Sequence, residues 1–498
     1  MSIYKTHSLS SGVENGDSKI TTHDHTKSIQ DPESKSGPAS ESAHISNHQA
    51  ERALCRKFDC RLLPVLACMY LFNSLDKGNL GNSKTDGLER DLGFENNQYN
   101  LILSVFYIPY VLCALPIAML GKKYGPATVL PILMMFFGSF TILGVAAQNF
   151  GGMMALRWFL VIYYLTTFYR RGELARRLAI FYAASNIASA FSGLLAVGCF
   201  KITNTPLYPW RYLFLIEGSA TLLFSIFTYF YLPSSASTAK FLTSQERNLA
   251  HHRIRVDSSS TVNEKFHLAD SLLIFAQPTT YAFLAIEICL GVPLQSVTLF
   301  LPQIVARLGY SPIKTNLYTV APNISGAVML LILAFASDYT RRRGPFIALG
   351  FAFTFIGFII YVSIDVTDQL HVAYFATFMM CWGTAAPSVL LSTWYNNNIP
   401  HEGRRVVMSS VGVPLSNLMG LVSSNVFLNR DAPKYIPALA TTAAFGATGV
   451  ILSTSLALYM MMDNRRRDRK LGRRLDAAEI PTELLRDGPG VAEFRWFL

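Results

Sequence analysis

SDYTRRRG, residues 337–344, sets three consecutive arginines between two apolar runs, 316–336 and 345–364. Each run is about 20 residues long, and at 1.5 Å per residue that crosses a hydrocarbon core of about 30 Å. Three cations in one short turn do not enter hydrocarbon, so the turn lies in water between two membrane helices. It belongs on the side where Lys and Arg collect in short loops. A shorter echo, GKKYG at 121–125, follows the second apolar run of the chain.

Working outward from these two turns, the sequence predicts twelve spans, near 62–82, 99–120, 126–147, 151–169, 178–200, 211–232, 281–305, 316–336, 345–364, 370–394, 405–428 and 437–462. Basic clusters stand at Arg52, Arg56, Lys57 and Arg61, at Lys122 and Lys123, and at Arg170, Arg171, Arg176 and Arg177. They recur at Arg341, Arg342 and Arg343, at Arg404 and Arg405, and in DNRRRDRKLGRR at 463–474. That is every second loop. The loops between hold isolated bases or more acid than base, as in KTDGLERDLGFENNQ at 84–98. An even number of spans and two cytoplasmic termini follow.

A polar stretch, 233–278, separates six runs from six. The expected fold is an all-α membrane protein whose 12 transmembrane helices form two six-helix pseudo-symmetric halves, the layout of a secondary transporter of the major facilitator type. The expected domains are a disordered cytoplasmic tail at 1–55, helical bundles at 56–232 and 279–462, the cytoplasmic linker 233–278, and a basic cytoplasmic tail at 463–498.

Composition agrees. Of 498 residues, 51% are hydrophobic and 15% charged, against about 25% charged in soluble domains. The net charge of +11 sits in clusters between apolar runs, which orients a membrane protein and does not make a nucleic-acid surface. The first 50 residues, rich in Ser, His, Asp and Glu, hold no apolar core, so no cleavable signal peptide is expected. Seven scattered cysteines lack C-x-x-C spacing, and the five histidines of the N-terminal tail lack ligand spacing, so neither a metal nor a cofactor is expected. No zinc-protease, nucleophile-elbow, P-loop or paired-carboxylate motif appears, which argues against an enzyme.

Charges inside spans cost about 2.5–3.5 kcal/mol each at a helix centre on insertion scales and need a reason. The candidates are Asp76, Lys77, Arg157, Glu217 and Glu287. Asp76, Arg157 and Glu217 lie on spans of alternating direction, yet each falls about six residues from the end opposite the basic loops, roughly 9 Å deep. Opposite charges at one depth offset each other's desolvation. Arg157 either forks onto a substrate carboxylate while Asp76 carries a coupled proton, or bridges permanently to Asp76 with Lys77 snorkelling outward. Glu217 is read as structural rather than functional, since the sixth span is expected at the bundle's periphery. Glu287 sits beside Gly291, Pro293 and Gln295, where a break in the helix would expose backbone to a cavity. Asn79, Asn82, Asn186, Gln295, Asn323 and Asn417 either bond a polar substrate or tie helices together. Tyr107 and Tyr110 stack on a ring or fill the core.

The stretch SLDKGNLGNSKTDGLERDLGFENNQYN (74–100) resembles the first-span motif of the fungal anion:cation symporters within the major facilitator superfamily, which include carriers similar to allantoate and nicotinate permeases. WRYLFLIEG (210–218), FLTSQER (241–247), FLPQIVARLGY (300–310), SDYTRRRG and DAPKYIPAL (431–439) agree in order, and the likeness covers nearly all of 55–470. It implies proton-driven uptake of a small organic anion by alternating access at the plasma membrane. Arg157, Asn79, Asn82, Asn417 and Gln295 would then bind substrate, and Asp76 and Glu287 would couple protons. The expected partners are that anion, the proton and the lipid bilayer, with no nucleic acid and a monomeric chain.

GKKYG lacks the aspartate that Asp338 supplies in the second half, and LPSSAST replaces the usual acidic, proline-rich turn after the sixth span. In the fourth span, Leu160 joins Val161 where relatives carry about ten more residues, including an acidic one. This gap, natural or arising in the gene model, removes about 15 Å of helix. Export on the same scaffold and non-transporting nutrient sensing are the competing functions.

Overall fold

The computed structural model describes residues 53–498 apart from 55, 59, 96, 110–123, 159–173, 203–204, 234–238, 240, 249–267, 367, 400, 433 and 476–487. The side chains of 126, 157–158, 174–182, 184, 268, 402 and 488 also lie outside the description. Among the described residues all regular structure is helical, and residues 53–498 form one compact unit.

The helices follow the apolar runs. They are α1 Leu63–Thr85, α2 over 98–109, α3 Pro126–Leu143, α4 Phe150–Trp158, α5 Leu174–Phe200 and α6 Pro209–Tyr231. The second set is α7 Pro278–Ala306, α8 Pro312–Thr340, α9 Gly344–Ser363, α10 Leu370–Asn398, α11 (Glu402–Leu418, continued by Gly420–Val426) and α12 Ile436–Leu471. Prolines open α1, α3, α6, α7, α8, α9 and α12 within the first two positions, where the missing N–H has no partner to lose. Nine helices among the described residues are long and apolar enough to cross a membrane. Their outward faces carry side chains such as Phe136, Leu223, Phe230 and Ile451, each more than half exposed. In a bilayer that apolar surface meets acyl chains.

Two elements differ from expectation. The seventh helix runs unbroken from Pro278 to Ala306 through Pro293 and Pro302, because neighbouring membrane helices can accommodate the backbone groups that a proline frees. The twelfth continues through residues 463–471, stretching beyond the bundle on a polar sequence. There Arg467 bonds Asp463 one turn back at 2.8 Å, a spacing that supports a helix outside the core.

Within the first set, α3 and α6 approach so closely that a Cβ on Gly218 would lie 2.7 Å from Ile142 Cγ1. The turns opposite the basic loops are pinned by Asp91. Its Oδ2 accepts from Trp210 Nε1 at 3.1 Å and from Arg211 Nε and Nη2 at 3.1 and 2.9 Å. Arg211 Nη1 also donates to the Val145 carbonyl at 2.6 Å. Replacing Asp91 by alanine strands a mostly buried guanidinium and the indole N–H of fully buried Trp210. The expected cost is about 2–4 kcal/mol, visible as a lower melting temperature in detergent. An unchanged melting temperature would show that this pairing contributes nothing.

Candidate functional site

Polar groups collect where α1, α2, α5, α7, α8 and α11 meet. On α1, Ser74, Gly78, Asn82 and Thr85 recur at helical spacing, and on α5 so do Ser185, Ser189 and Ser192, which puts each set on one face. The two faces meet. Ser74 and Ser185 hydroxyls lie 2.8 Å apart, Asn82 Nδ2 donates to Ser192 Oγ at 2.7 Å, and Ser192 Oγ donates to Asn79 Oδ1 at 3.5 Å. Asn79 and Asn82, expected to contact substrate, therefore already bond to α5.

Asp76 is buried, and its Oδ1 accepts from Thr141 Oγ1 of α3 at 2.6 Å. Lys77 does not reach outward. Its Nζ lies 5.9 Å from the ring centre of Phe106 on α2, inside the bundle. Arg157 closes the last turn of α4, but its side chain and the 160–161 joint lie outside the described residues, and so does any Asp76–Arg157 pair.

Glu217 corrects the expectation of a peripheral residue. It is 3% exposed, because the close α3–α6 approach at Gly218 turns this face of α6 inward. Its carboxyl lies near Asn79 and Asp76 of α1. Neither Glu217 oxygen nor Asn79 Nδ2 makes a hydrogen bond among the described residues.

In the second set, Glu287 of α7 is buried, with Ser416 of α11 nearby. Glu287 Oε1 and the Tyr395 hydroxyl lie 3.7 and 3.8 Å from where a Cβ on Gly412 would stand. Two turns further along α7, Gln295 joins the halves. Tyr107 of α2 donates its hydroxyl to Gln295 Oε1 at 2.8 Å, and Gln295 Nε2 donates to Asn417 Oδ1 of α11 at 3.2 Å. Tyr107 fills the core, as one of its two sequence readings has it, and also makes this polar link. Its ring lies flat enough against α11 that a Cβ on Gly420 would overlap it.

Above this chain of side chains, toward the acidic loops, the halves are closed. Ser104 and Ser424 hydroxyls are 2.7 Å apart, Asn100 Nδ2 donates to the Phe427 carbonyl at 2.7 Å, and Asn316 Nδ2 donates to Thr85 Oγ1 at 2.9 Å. Lys84 ties Asn429 at 3.1 Å and Glu89 at 3.2 Å, and sits 4.2 Å from the Tyr99 ring centre. The structure thus brings Gln295 and Asn417 together, and Asp76 close to Asn79 and Glu217. Glu287 belongs to a separate group in the second half.

Sequence reading missed Thr141, Ser192, Ser416 and the closing residues Ser104, Ser424 and Asn316. Serine and threonine are cheap in membrane helices and carry no signal singly. The repeats at Ser185, Ser189 and Ser192 would have marked the α1–α5 face. Among the described residues no cluster of His, Cys, Asp and Glu could hold a metal ion.

Two sets of membrane helices closed at one end over buried polar groups drawn from both define a multi-pass membrane transporter. The chain belongs to the Major Facilitator Superfamily, which residues 66–424 match. It is 51% identical over 501 aligned residues to an uncharacterized transporter of Schizosaccharomyces pombe, covering 99% of both chains. It is 43% identical to the MFS-type transporter efuF of Hormonema carpetanum, over 89% of this chain and 91% of that one. Identity to the high-affinity nicotinic acid transporter of Saccharomyces cerevisiae is 28%, over 85% of this chain and 80% of that one. In fold it is similar to a bacterial homolog of the human lysosomal transporter Spinster, solved in an inward-facing and occupied conformation, at TM-score 0.56 and 14% identity, covering 80% and 95% of the two chains. A D-xylose-proton symporter gives TM-score 0.59 at 13% identity, covering 79% and 96%. Superfamily members of this kind are carriers and not enzymes.

Proposed function

We propose that this transporter takes up a small organic carboxylate together with protons, by alternating access, at the plasma membrane with both termini in the cytoplasm. The observation that carries proton coupling is Asp76. It is a carboxyl buried inside the bundle that accepts the Thr141 hydroxyl at 2.6 Å, next to the polar α1–α5 face. A carboxyl so placed exchanges a proton when the surrounding helices move. Arg157, at the depth of Asp76, supplies the anion's charge partner, and Asn79, Asn82, Gln295 and Asn417 its neutral hydrogen bonds. Glu287 provides a second protonatable group in the other half. The likeness to a nicotinic acid transporter supports a monocarboxylate as the substrate class. The closed acidic-loop end, with Lys84, Asn316 and Ser104 bonded across the halves, supports a cycle in which the site opens toward the basic loops and the cytoplasm.

The test is uptake of labelled nicotinate and related monocarboxylates into proteoliposomes under an imposed pH gradient. A gradient acid on the outside is expected to drive accumulation, and Arg157→Ala to abolish it. Flux of no organic acid, or flux indifferent to the gradient, would overturn this reading.

A further inference from the structure

Residues 488–498 are not a loose end. Phe494, Arg495 and Trp496 are 2%, 2% and 4% exposed, and the segment Phe494–Leu498, which forms no helix or turn, bonds to the ends of α10 and α12. Two asparagines hold it. Asn464 of α12 accepts from the Trp496 N–H at 2.8 Å and donates to the Trp496 carbonyl at 2.9 Å. Asn398 of α10 accepts from the Phe497 N–H at 2.9 Å and donates to the Phe497 carbonyl at 3.0 Å.

In an extended chain both backbone groups of one residue point to one side and those of the next to the other. The two clamps therefore read consecutive residues from opposite walls of a groove, as two neighbouring strands would. Only an extended peptide satisfies both.

The side chains add selectivity. Arg495 Nε donates to Asp468 at 2.8 Å, and Trp496 Nε1 donates to Asp463 at 2.7 Å. Phe494 and Trp496 pack edge to face at 4.8 Å, in the same core as Trp394, Ile347 and Met460. The Trp394 indole N–H donates to the Phe497 carbonyl at 2.9 Å. The Arg343 N–H, at the end of SDYTRRRG, donates to the Leu498 oxygen.

We propose that this groove is a docking site for an extended aromatic–arginine–aromatic peptide. Its occupant is the chain's own segment 494–498, which straps α10, α12 and the α8–α9 turn into one body at the basic-loop end. The site is independent of any assignment of substrate.

Limited trypsin digestion of the full-length protein in detergent tests it. Cleavage after Arg495 is expected to be slow in the native chain, while the exposed Arg473 and Arg474 are cut freely. In the Asn398→Ala, Asn464→Ala chain, cleavage after Arg495 is expected to rise at least about tenfold, since cutting follows the population of the open form. Cleavage after Arg473 and Arg474 should not change. As a second measurement, a synthetic peptide of sequence VAEFRWFL is expected to raise the melting temperature of the Trp496→Ala chain by a few degrees and leave the native chain unchanged. Native cleavage after Arg495 as fast as after Arg474, or no peptide effect on Trp496→Ala, would overturn the proposal. Protection that disappears on dilution would also overturn it, by giving the groove to a second copy.

Discussion

Gly291→Val is expected to leave no folded transporter in detergent extracts. At this residue α7 crosses α11 with its backbone almost in contact. A Cβ added there would stand 2.7 Å from Met419 Cβ and nearer still to the carbonyl oxygen of Ser416. Neither neighbour is the free end of a flexible side chain, so the helices must separate. Overpacking of this kind costs about 1–3 kcal/mol for a single added group, and valine adds three carbons. The damage is also local to the polar groups. Glu287 and Gln295 lie one turn before and one turn after Gly291 on the same face of α7, and Ser416 and Asn417 are on the displaced stretch of α11. Gly198→Val is the control, because nothing stands within 4 Å of its Cβ position. The measurement is size-exclusion profile and melting temperature of the two proteins side by side. If Gly291→Val matches Gly198→Val in both, the close crossing does not govern this half of the bundle.

Asp76→Asn is expected to abolish concentrative uptake while folding and substrate exchange persist. Asparagine keeps an oxygen for the Thr141 hydroxyl, so the 2.6 Å link between α1 and α3 survives, but the side chain no longer gains and loses a proton. Under a gradient of one pH unit, one coupled proton supplies about 1.4 kcal/mol, enough for roughly tenfold accumulation. The variant should show none, with counterflow of preloaded substrate continuing. Concentrative uptake at the native level in Asp76→Asn would move the coupling to another group. Thr141→Ala, which removes only the hydroxyl, is the milder comparison.

The helices themselves were legible because their cause is local. Apolar length, proline at the start and basic residues in alternate loops are written along the chain, and α6 to α11 begin and end within about four residues of the expected runs. The unbroken α7 was not legible, since a proline weakens a helix locally and only its neighbours decide whether the helix survives. Glu217 was misplaced for a related reason. Which face of α6 turns inward depends on how closely α3 approaches Gly218, a property of two segments about 80 residues apart. The strap at 494–498 was hidden in a stretch that reads as a basic tail, because its partners, Asn398 and Asn464, are ordinary polar residues until the chain folds back onto them.

By itself the sequence determined the membrane class, the helical architecture and the presence of costly charges in mid-span. Burying about 20 apolar residues per segment and excluding cations from hydrocarbon leave little choice. Tertiary structure alone decided which polar groups share one space. Asp76 meets Thr141, Gln295 links Tyr107 to Asn417, and Asn79 and Asn82 turn to α5. Those pairings depend on rotation and crossing of helices whose close contacts are set by single glycines, and a hydropathy pattern carries no record of either.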